Sequence, residues 1–470
     1  MVILSTTFFD WVFIFLGIVL VIVIVLMTCC TLKAFLLKNK ETRILQLQNT
    51  DEQKANDYGN KILELLQIKT TSNESDEAYH HFREKMKLFF PLVHQYMTKD
   101  KIGANVIFTF ESKNKNAKKI LLATHMDTRQ GDIHARILEQ EVFGQGAFDR
   151  KALLFCVFQA LEETFAKGMT PDIDVTVVVT SDDESTLDGN EKIVNRFLKQ
   201  GKFFNLVIEE GIGIIDPTFL GLSSHYALLG IGVTGEVTIR YKTKKSPKAK
   251  QRMEEFVAEL DGDCLFESKI DRNATEILST FAKDMPFSNR FLFSNIWLFR
   301  PFIKKIVDSD QTELSRLLKT HMIKRNIVET ESGFYTDITF QLATHDSVAD
   351  IVNIMVPHVK KYSLDYEMIF LKEASKVTSI NMPEYKRVAR IVEQNFPNLY
   401  VSPYIITRIS EQRFFTKVSD CVVRFSPLYY PYNSISDAKQ GCEHVMKKSL
   451  LYGVDFYKRI IAAENNHDLS

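Results

Sequence analysis

The sequence predicts an α/β protein with a mostly parallel β-sheet and helices on both faces, and three observations lead to this prediction. Apolar runs such as Ile120–Thr124 and Ile173–Thr180 alternate with stretches of helical spacing, a pattern typical of βαβ units. Three such runs end in histidine or acidic residues, which favours a site beyond the carboxyl ends of the strands. At 470 residues, the chain is long enough for more than one domain.

Composition excludes several classes of protein. Lysine plus arginine and aspartate plus glutamate each number 59, so the formal net charge is zero and no strong field points to a nucleic-acid partner. Six cysteines in so long a chain do not form a disulfide framework. We expect no nucleic-acid partner, because the net charge is zero. The 35 phenylalanines supply enough apolar volume for sizeable cores.

An uncharged segment from Trp11 to Cys30, rich in valine, isoleucine and leucine, predicts one transmembrane anchor over residues 9–30. About 20 apolar residues span a bilayer, whereas a cleaved signal peptide has a shorter apolar core and a basic region before it. Residues 31–55, which are mostly polar in their second half, predict a stalk. We expect a single-pass membrane protein in contact with the lipid bilayer.

The side of the membrane on which the body lies has two interpretations. Basic residues follow the apolar segment and Asp10 precedes it, which by the positive-inside rule places the body in the cytosol. Glycosylation sequons at Asn73 and Asn273 have a use only in a secretory lumen. On the sequence, both interpretations stay open.

The pattern of apolar residues changes near Gly230, which predicts an insertion into the main domain. Residues 56–228 form the first part of the main domain, 229–371 an inserted α+β domain, and 372–465 the second part of the main domain. The insert begins with alternating residues that predict a strand over Val233–Tyr241. Helical stretches fill much of its middle.

Histidine and carboxylates stand at the ends of predicted strands and in one glycine-rich loop. His125 and Asp127 are two positions apart at a strand end and so share a face, where the carboxylate orients a metal-binding imidazole. The other candidate ligands follow two strands and the glycine-rich loop: Asp149, Glu184 and Glu210. Two divalent metals held by such side chains activate water and polarise a carbonyl. Asp183, beside Glu184, is a candidate general base.

A solvated loop is the simpler explanation for any one of these acidic residues. Four suitable residues in one chain, each after a strand or in a glycine-rich loop, favour the metal site.

The ordered motifs carry a family resemblance. They read His125-Met126-Asp127, Gly144-Gln145-Gly146-Ala147-Phe148-Asp149-Arg150-Lys151, Asp182-Asp183-Glu184 and Glu209-Glu210-Gly211. They resemble the His-x-Asp, Gly-x-Gly-x-x-Asp-x-Lys, Asp-Glu-Glu and Asp-Glu-Gly motifs of the zinc metallopeptidase family that holds aminoacylase, carboxypeptidase S and acetylornithine deacetylase. Ser294–Phe299 and Arg413–Thr416 are similar to its branch of carboxypeptidase S and N-acyl-amino-acid hydrolases.

The resemblance implies a zinc-binding α/β catalytic domain with an inserted α+β lid. Such a lid is often a dimerisation domain, so a homodimer through the lid is one expected assembly. The resemblance assigns two zinc ions per chain to four ligands: His125, Asp149, Glu184 and Glu210. It makes Asp149 the bridge between the two ions and Asp127 the residue that orients His125.

The chain departs from the family at several positions. Asp183 takes the place of a general base that is normally glutamate, and a displacement of about 1 Å in such a group costs roughly 100-fold in rate. The last zinc-binding histidine of the family falls on Lys439, with His444 as a substitute five residues on. Arg413 alone remains of the segment that binds substrate carboxylates, and the lid histidine is absent near Lys244.

Two functions therefore stay open. The first is a membrane-anchored zinc metallohydrolase of carboxypeptidase type, which cleaves amide bonds of peptides or N-acyl amino acids by metal-activated water. The second is a pseudoenzyme on the same fold that acts as a binding or scaffold protein. The retained ligand types favour the first, whereas the departures at Asp183 and Lys439 favour the second.

Overall fold

The structure is a computed structural model, and it describes most of the chain. The described ranges are 8–38, 41–47, 51–71, 76–129, 134–181, 189–216, 222–262, 265–309, 313–407, 414–431, 437–438 and 441–462.

The described helices are α1 (Phe8–Leu36), α2 (Glu52–Leu66), α3 (Asp76–Phe89), α4 (Pro91–Tyr96), α5 (Arg150–Ala166), α6 (Gly189–Lys199), α7 (Ala249–Gly262), α8 (Arg272–Ala282), α9 (Phe287–Ser294), α10 (Ile296–Ser309), α11 (Glu313–Leu318), α12 (Val348–Lys361), α13 (Pro383–Asn395) and α14 (Lys447–Ile461). The described strands are β1 (Thr98–Ile102), β2 (Asn105–Phe110), β3 (Lys119–His125), β4 (Arg136–Leu138), β5 (Glu141–Phe143), β6 (Asp174–Thr180), β7 (Leu206–Glu209), β8 (Gly213–Ile215), β9 (Tyr226–Val233), β10 (Gly235–Lys244), β11 (His321–Lys324), β12 (Val328–Thr330), β13 (Gly333–Leu342), β14 (Asp365–Lys372), β15 (Tyr400–Ile406), β16 (Val422–Arg424), β17 (Tyr429–Tyr430) and β18 (His444–Met446).

The main sheet runs in the order β1-β2-β6-β3-β7-β16-β9-β8-β17, with β15 paired to β9. Its central strands β6, β3, β7 and β16 are parallel, and their buried, β-branched residues suit strands that are covered on both faces. The pairs β1–β2, β2–β6 and β8–β9 are antiparallel. The sheet is therefore mixed, and the prediction of a mostly parallel sheet holds for its centre.

Helices cover both faces of this sheet. On one face α5 packs against β3 and is itself covered by α2 and α14, so its side chains are buried around most of the helix. On the other face, Phe197 of α6 and Phe415 of a short 3₁₀-helix belong to one buried cluster with Leu121 and Val207. Because β3 and β7 are covered on both faces, polar chemistry is confined to their ends.

A second, antiparallel sheet lies within the predicted insert. Its order is β11-β13-β10-β14, with β12 paired to β13. Alternate residues of β10, such as Val237 and Tyr241, are buried in one core with Phe256 of α7 and Met355 of α12. This second core contains different residues from the core of the main sheet.

The strand predicted over Val233–Tyr241 is two strands. Val233, the first residue of the predicted strand, is the last residue of β9 in the main sheet. After Thr234, β10 begins the second sheet. The chain returns to the main sheet beside this point, where Val233 N donates to Ser375 Oγ and Ser375 N donates to Val233 O, both at 2.9 Å.

The N-terminal helix extends past the predicted anchor. Within α1 the segment Trp11–Leu36 is long and apolar enough to cross a membrane, with a mean hydropathy of 3.3. Within the predicted stalk of residues 31–55, residues 41–47 lie against the main sheet. His225 N donates to Arg43 O at 2.8 Å and Leu45 is buried in the main core, because a leucine gains free energy by leaving water.

Candidate active site

His125 stands at the carboxyl end of β3, in the parallel part of the main sheet. Its Nδ1 lies 3.0 Å from Asp127 Oδ1, and its Nε2 lies 2.8 Å from Glu210 Oε2. Glu210 follows β7, which pairs with β3, so parallel pairing brings the two strand ends together. His125 and Asp127 are buried, whereas 25% of the Glu210 side chain is exposed to solvent.

The imidazole of His125 is held between two carboxylates. Burial disfavours a charge on the ring, but hydrogen bonds to Asp127 and Glu210 outweigh burial and hold the pKa of His125 well above its usual value. Imidazole binds metals in its neutral form, so a metal ion held by His125 would take the place of a proton. Asp127 would then keep the proton on Nδ1 and orient the ring.

Asp149 is the last residue before α5, at the end of the glycine-rich loop. Its backbone has a φ of 73°, which is rare outside glycine and is typical of functional sites. Tyr430 Oη donates a hydrogen bond to Asp149 Oδ1 and accepts one from Asp149 N at 3.1 Å. Burial and the nearby charge of Glu210 raise the pKa of the Asp149 carboxyl well above its usual value. The loop therefore places a second carboxylate beside Glu210.

Glu443, which follows the predicted last-ligand segment, fixes the glycine-rich loop. Its carboxylate accepts hydrogen bonds from Gly146 N and from Arg150 Nη1, each at 2.7 Å. Gly146 has a φ of +89°, and a Cβ there would lie 2.9 Å from a methyl group of Thr128, so the position requires glycine.

Lys151, the last residue of the same motif, ties this loop to the end of α2. Its Nζ donates to Ile68 O at 2.5 Å and to Leu65 O at 3.3 Å. Burial lowers the pKa of this lysine to about 7. The side chain is buried, and its hydrogen bonds to backbone carbonyl groups stabilise the fold.

Glu209, the last residue of β7, has a different partner from Glu210. Its Oε2 lies 3.0 Å from Arg424 Nε, and both side chains are fully buried. Gly211 follows, where a Cβ would lie 2.3 Å from the Arg424 carbonyl group. Ser426 Oγ donates to Gly211 O at 2.7 Å and accepts from Gly211 N at 3.1 Å. These contacts fix the backbone that carries Glu210.

Several predicted site residues lie outside the described residues: Asp183, Glu184, Arg413 and Lys439. His444 is described, on β18 beside β5. Its ring stacks on Phe143 with centroids 5.1 Å apart, and its nitrogens lie 3.5 Å from Glu141 and 3.6 Å from Asp437. These contacts hold His444 in the small sheet β18-β5-β4.

The donors at the strand ends are of the kind that zinc binds, imidazole nitrogen and carboxylate oxygen. Buried Asp149 and its neighbour Glu210 repel each other, and a bound cation relieves such repulsion. Within the described ranges, no three His, Cys, Asp or Glu side chains form a complete metal site. The described residues bring three of the predicted ligands, His125, Asp149 and Glu210, to one end of the sheet, and Glu184 and Lys439 fall in ranges that are not described.

An α/β sheet with histidine and carboxylates at its strand ends is typical of metal-dependent hydrolases. The model of Peptidase family M20/M25/M40 matches residues 121–463, so the chain belongs to this family. The match runs from β3 to beyond α14 and includes the insert. The family resemblance of the four motifs is confirmed, and the family is typically dinuclear and metal-dependent.

Named relatives and a solved structure agree with the family match. Probable carboxypeptidase S-like 2 of Dictyostelium discoideum is 25% identical over 447 residues, which cover 85% of this chain and 84% of that protein. N-fatty-acyl-amino acid synthase/hydrolase PM20D1.1 of Danio rerio is 23% identical over 404 residues, which cover 78% and 77%. The M20 family metallo-carboxypeptidase Sso-CP2 of Sulfolobus solfataricus has the same fold, with a TM-score of 0.59 at 13% identity over 86% of this chain and 98% of that one.

The protein is therefore a hydrolase. Its family and its named relatives give no support to the alternative of a catalytically impaired scaffold protein.

Proposed function

We propose that the protein is a membrane-anchored zinc hydrolase that cleaves an amide bond in peptides or N-acyl amino acids. The observation that carries the proposal is the 2.8 Å contact between His125 Nε2 and Glu210 Oε2, with Asp127 behind the ring at 3.0 Å. A histidine that binds a metal through one ring nitrogen usually donates the N–H of its other ring nitrogen to a carboxylate.

In this proposal the chain's own side chains divide the work. Two zinc ions are held by four residues: His125, Asp149, Glu184 and Glu210. When bound, the metal pair supplies an activated water and a polarised carbonyl group. Asp149 would be the ligand common to the metal pair, Asp127 would orient His125, and Asp183 would accept a proton as general base.

Lys439 occupies the position at which the family pattern has the last ligand of the second ion. A lysine binds zinc only without its proton, and His444 is already held between Glu141 and Asp437. Metal binding by His444 therefore requires this segment to rearrange.

The proposed substrates share one chemical feature. A peptide cut at its last residue and an N-acyl amino acid both have an amide next to a free carboxylate, and the relatives are named for these two substrate types. A guanidinium suits a carboxylate because it donates two parallel hydrogen bonds. We assign this contact to Arg413.

The remaining parts of the proposal concern the membrane and the insert. The described chain buries 0% of the most apolar 18-residue stretch of α1, and this supports a single-pass anchor. The second sheet is proposed as the lid. Its edge strand β14 exposes large apolar side chains, which supports a homodimer through this sheet.

The test is hydrolysis and metal content of the purified full-length protein in detergent. We expect it to cleave an N-fatty-acyl amino acid or a dipeptide, to lose this activity with a chelator, and to regain it with zinc. Elemental analysis is expected to find two zinc ions per chain. His125→Gln removes a ligand, so we expect activity to fall about 100-fold or more.

His358→Gln is the matched control, because His358 also pairs with a glutamate, Glu259 at 3.0 Å, but in the insert. This variant should keep its activity. Hydrolysis that survives both chelation and His125→Gln contradicts the metal site, whereas a protein with no metal and no activity supports the scaffold alternative.

A further inference from the structure

The C-terminal end of α1 packs against α9 and against Asn295, the residue that joins α9 to α10. Cys30 and Ala34, one helical turn apart, are buried there, and the Asn295 amide between the two helices donates to Cys30 O at 3.1 Å. The rings of Phe35 and Phe287 lie 4.9 Å apart between centroids. The proposed anchor therefore leaves the folded body at these two helices.

The length of the uncharged run from Trp11 to Cys30 determines how deep the contact between Cys30 and Asn295 would lie in a bilayer. The residues of this run rise about 30 Å, at about 1.5 Å per residue, which is the thickness of the hydrocarbon core. Tryptophan favours the interface between lipid and water, so Trp11 marks one interface and Cys30 reaches the other. Asn295, which contacts Cys30, lies at that second interface together with the start of α10.

Three large apolar side chains of α10 are exposed. Trp297, Phe302 and Ile306 are 64%, 54% and 43% exposed, whereas Ile303 and Val307 are buried in a small cluster. Phe302 and Ile306 share a face because they are four positions apart, and Trp297 lies about half a turn round the helix from Ile306. Arg300, Lys304 and Lys305 lie among them, against the single acidic residue of this helix. Exposed apolar and basic side chains on one helix are typical of a helix that lies in the membrane interface.

We propose that α10 lies in the headgroup region of the bilayer that α1 spans, with Phe302 and Ile306, four positions apart on one face, against the acyl chains and with Trp297 at the interface between lipid and water. This inference rests on the proposed membrane anchor. Lipid is the occupant because the apolar surface of α10 begins where α1 leaves the bilayer, and because Lys305 suits a lipid phosphate, whereas Lys304 pairs with Glu267 at 3.3 Å. The body then has two attachments to the membrane, which fix its orientation.

The chain contains two tryptophans, Trp11 and Trp297, and each can be observed alone. Full-length Trp11→Phe protein leaves Trp297 as the only indole, and Trp297→Phe leaves Trp11. Both are reconstituted in vesicles with and without lipids that are brominated near the top of the acyl chain. Bromine quenches indole fluorescence on contact, and an interfacial helix buries its apolar face about 5–10 Å deep, so both should lose about half of their emission or more.

The two variants separate the possible failures. Quenching of Trp11 without quenching of Trp297 overturns the inference and leaves the anchor intact. Absence of quenching at both positions contradicts the anchor and the inference together. If Trp297 resists both brominated lipid and a water-soluble quencher, protein covers α10 and the inference is wrong.

A further variant tests the apolar surface itself. Serine at Phe302 and Ile306, in the Trp11→Phe background, should reduce quenching of Trp297 while hydrolysis of a soluble substrate stays unchanged. Unchanged quenching would mean that these side chains do not hold α10 in the lipid.

Discussion

Two carboxylates in this protein each accept a tyrosine hydroxyl, yet their electrostatic surroundings are opposite. Tyr430 donates to Asp149 at the candidate site, and Tyr58 donates to Glu163 where α2, α5 and α14 meet. Two lysine side chains also donate to Glu163. Asp149 instead faces the carboxylate of Glu210.

The pKa values of the two carboxyl groups move in opposite directions for this reason. Burial alone would raise the pKa of Glu163, but its hydrogen-bond donors outweigh burial and lower it to about 2. Burial and Glu210 together raise the pKa of Asp149. The charge of Glu163 is balanced by its own hydrogen-bond donors. Asp149 lies near a second carboxylate, and a bound cation would balance the two negative charges. Local charge balance thus separates carboxylates that stabilise the fold from carboxylates that bind a ligand.

The largest expected effect concerns Glu209, a buried carboxylate that is paired with the guanidinium of Arg424. Arg424→Met leaves Glu209 buried without this guanidinium. Removing one partner of a buried ion pair costs about 3–5 kcal/mol, so the free energy of unfolding in urea should fall by that amount. The double variant with Glu209→Gln should recover part of the loss, since no buried charge remains.

Arg240→Met is the matched control for this change. Arg240 makes two hydrogen bonds to Asp337, at 2.7 and 2.8 Å, but 29% of its side chain is exposed. Exposed pairs contribute about 1 kcal/mol or less. Equal losses in the two single variants would mean that burial does not distinguish these pairs.

The second effect is at Asp149, where Asp149→Asn keeps the shape of the side chain and removes its charge. We expect hydrolysis to fall about 100-fold or more, because even partners behind the metal ligands contribute about 10–100-fold, and zinc content should fall with it. The metal-free variant should unfold at the same urea concentration as the metal-free parent or at a higher one, since repulsion from Glu210 is gone. Full activity with a normal zinc content would remove Asp149 from the site.

The smallest effect is at Glu163, where Glu163→Gln should lower the free energy of unfolding by about 1–3 kcal/mol and leave hydrolysis unchanged. Because folding lowers the pKa of Glu163 from 4.5 to about 2, its contribution is complete above the unfolded pKa and is lost as pH falls towards 2. The difference between parent and variant in urea should therefore shrink between about pH 5 and pH 3. A difference that is constant over this range would contradict the ion-pair explanation.

The strand ends of the site could be predicted because each depends on a local pattern. Apolar runs that precede His125 and Glu210 identify β3 and β7. Alternation of strands with helices then predicts parallel pairing. The contact of His125 with Glu210 follows from that pairing.

The groups that support the site could not be predicted, because they come from distant parts of the chain. Tyr430 lies 281 positions after Asp149, and no local spacing connects the two. Glu443 and Arg424 likewise meet their partners only in the folded chain. The strand β1 has no alternating pattern because it is mostly exposed.

The junction at Val233 and Ser375 has a consequence for the whole molecule. The chain enters and leaves the second sheet through two adjacent backbone segments that are hydrogen-bonded to each other. A segment joined in this way is a module, because it can lengthen or shorten without shifting the register of the strands on either side. Any rotation of the module must be taken up by the φ and ψ angles of these few residues.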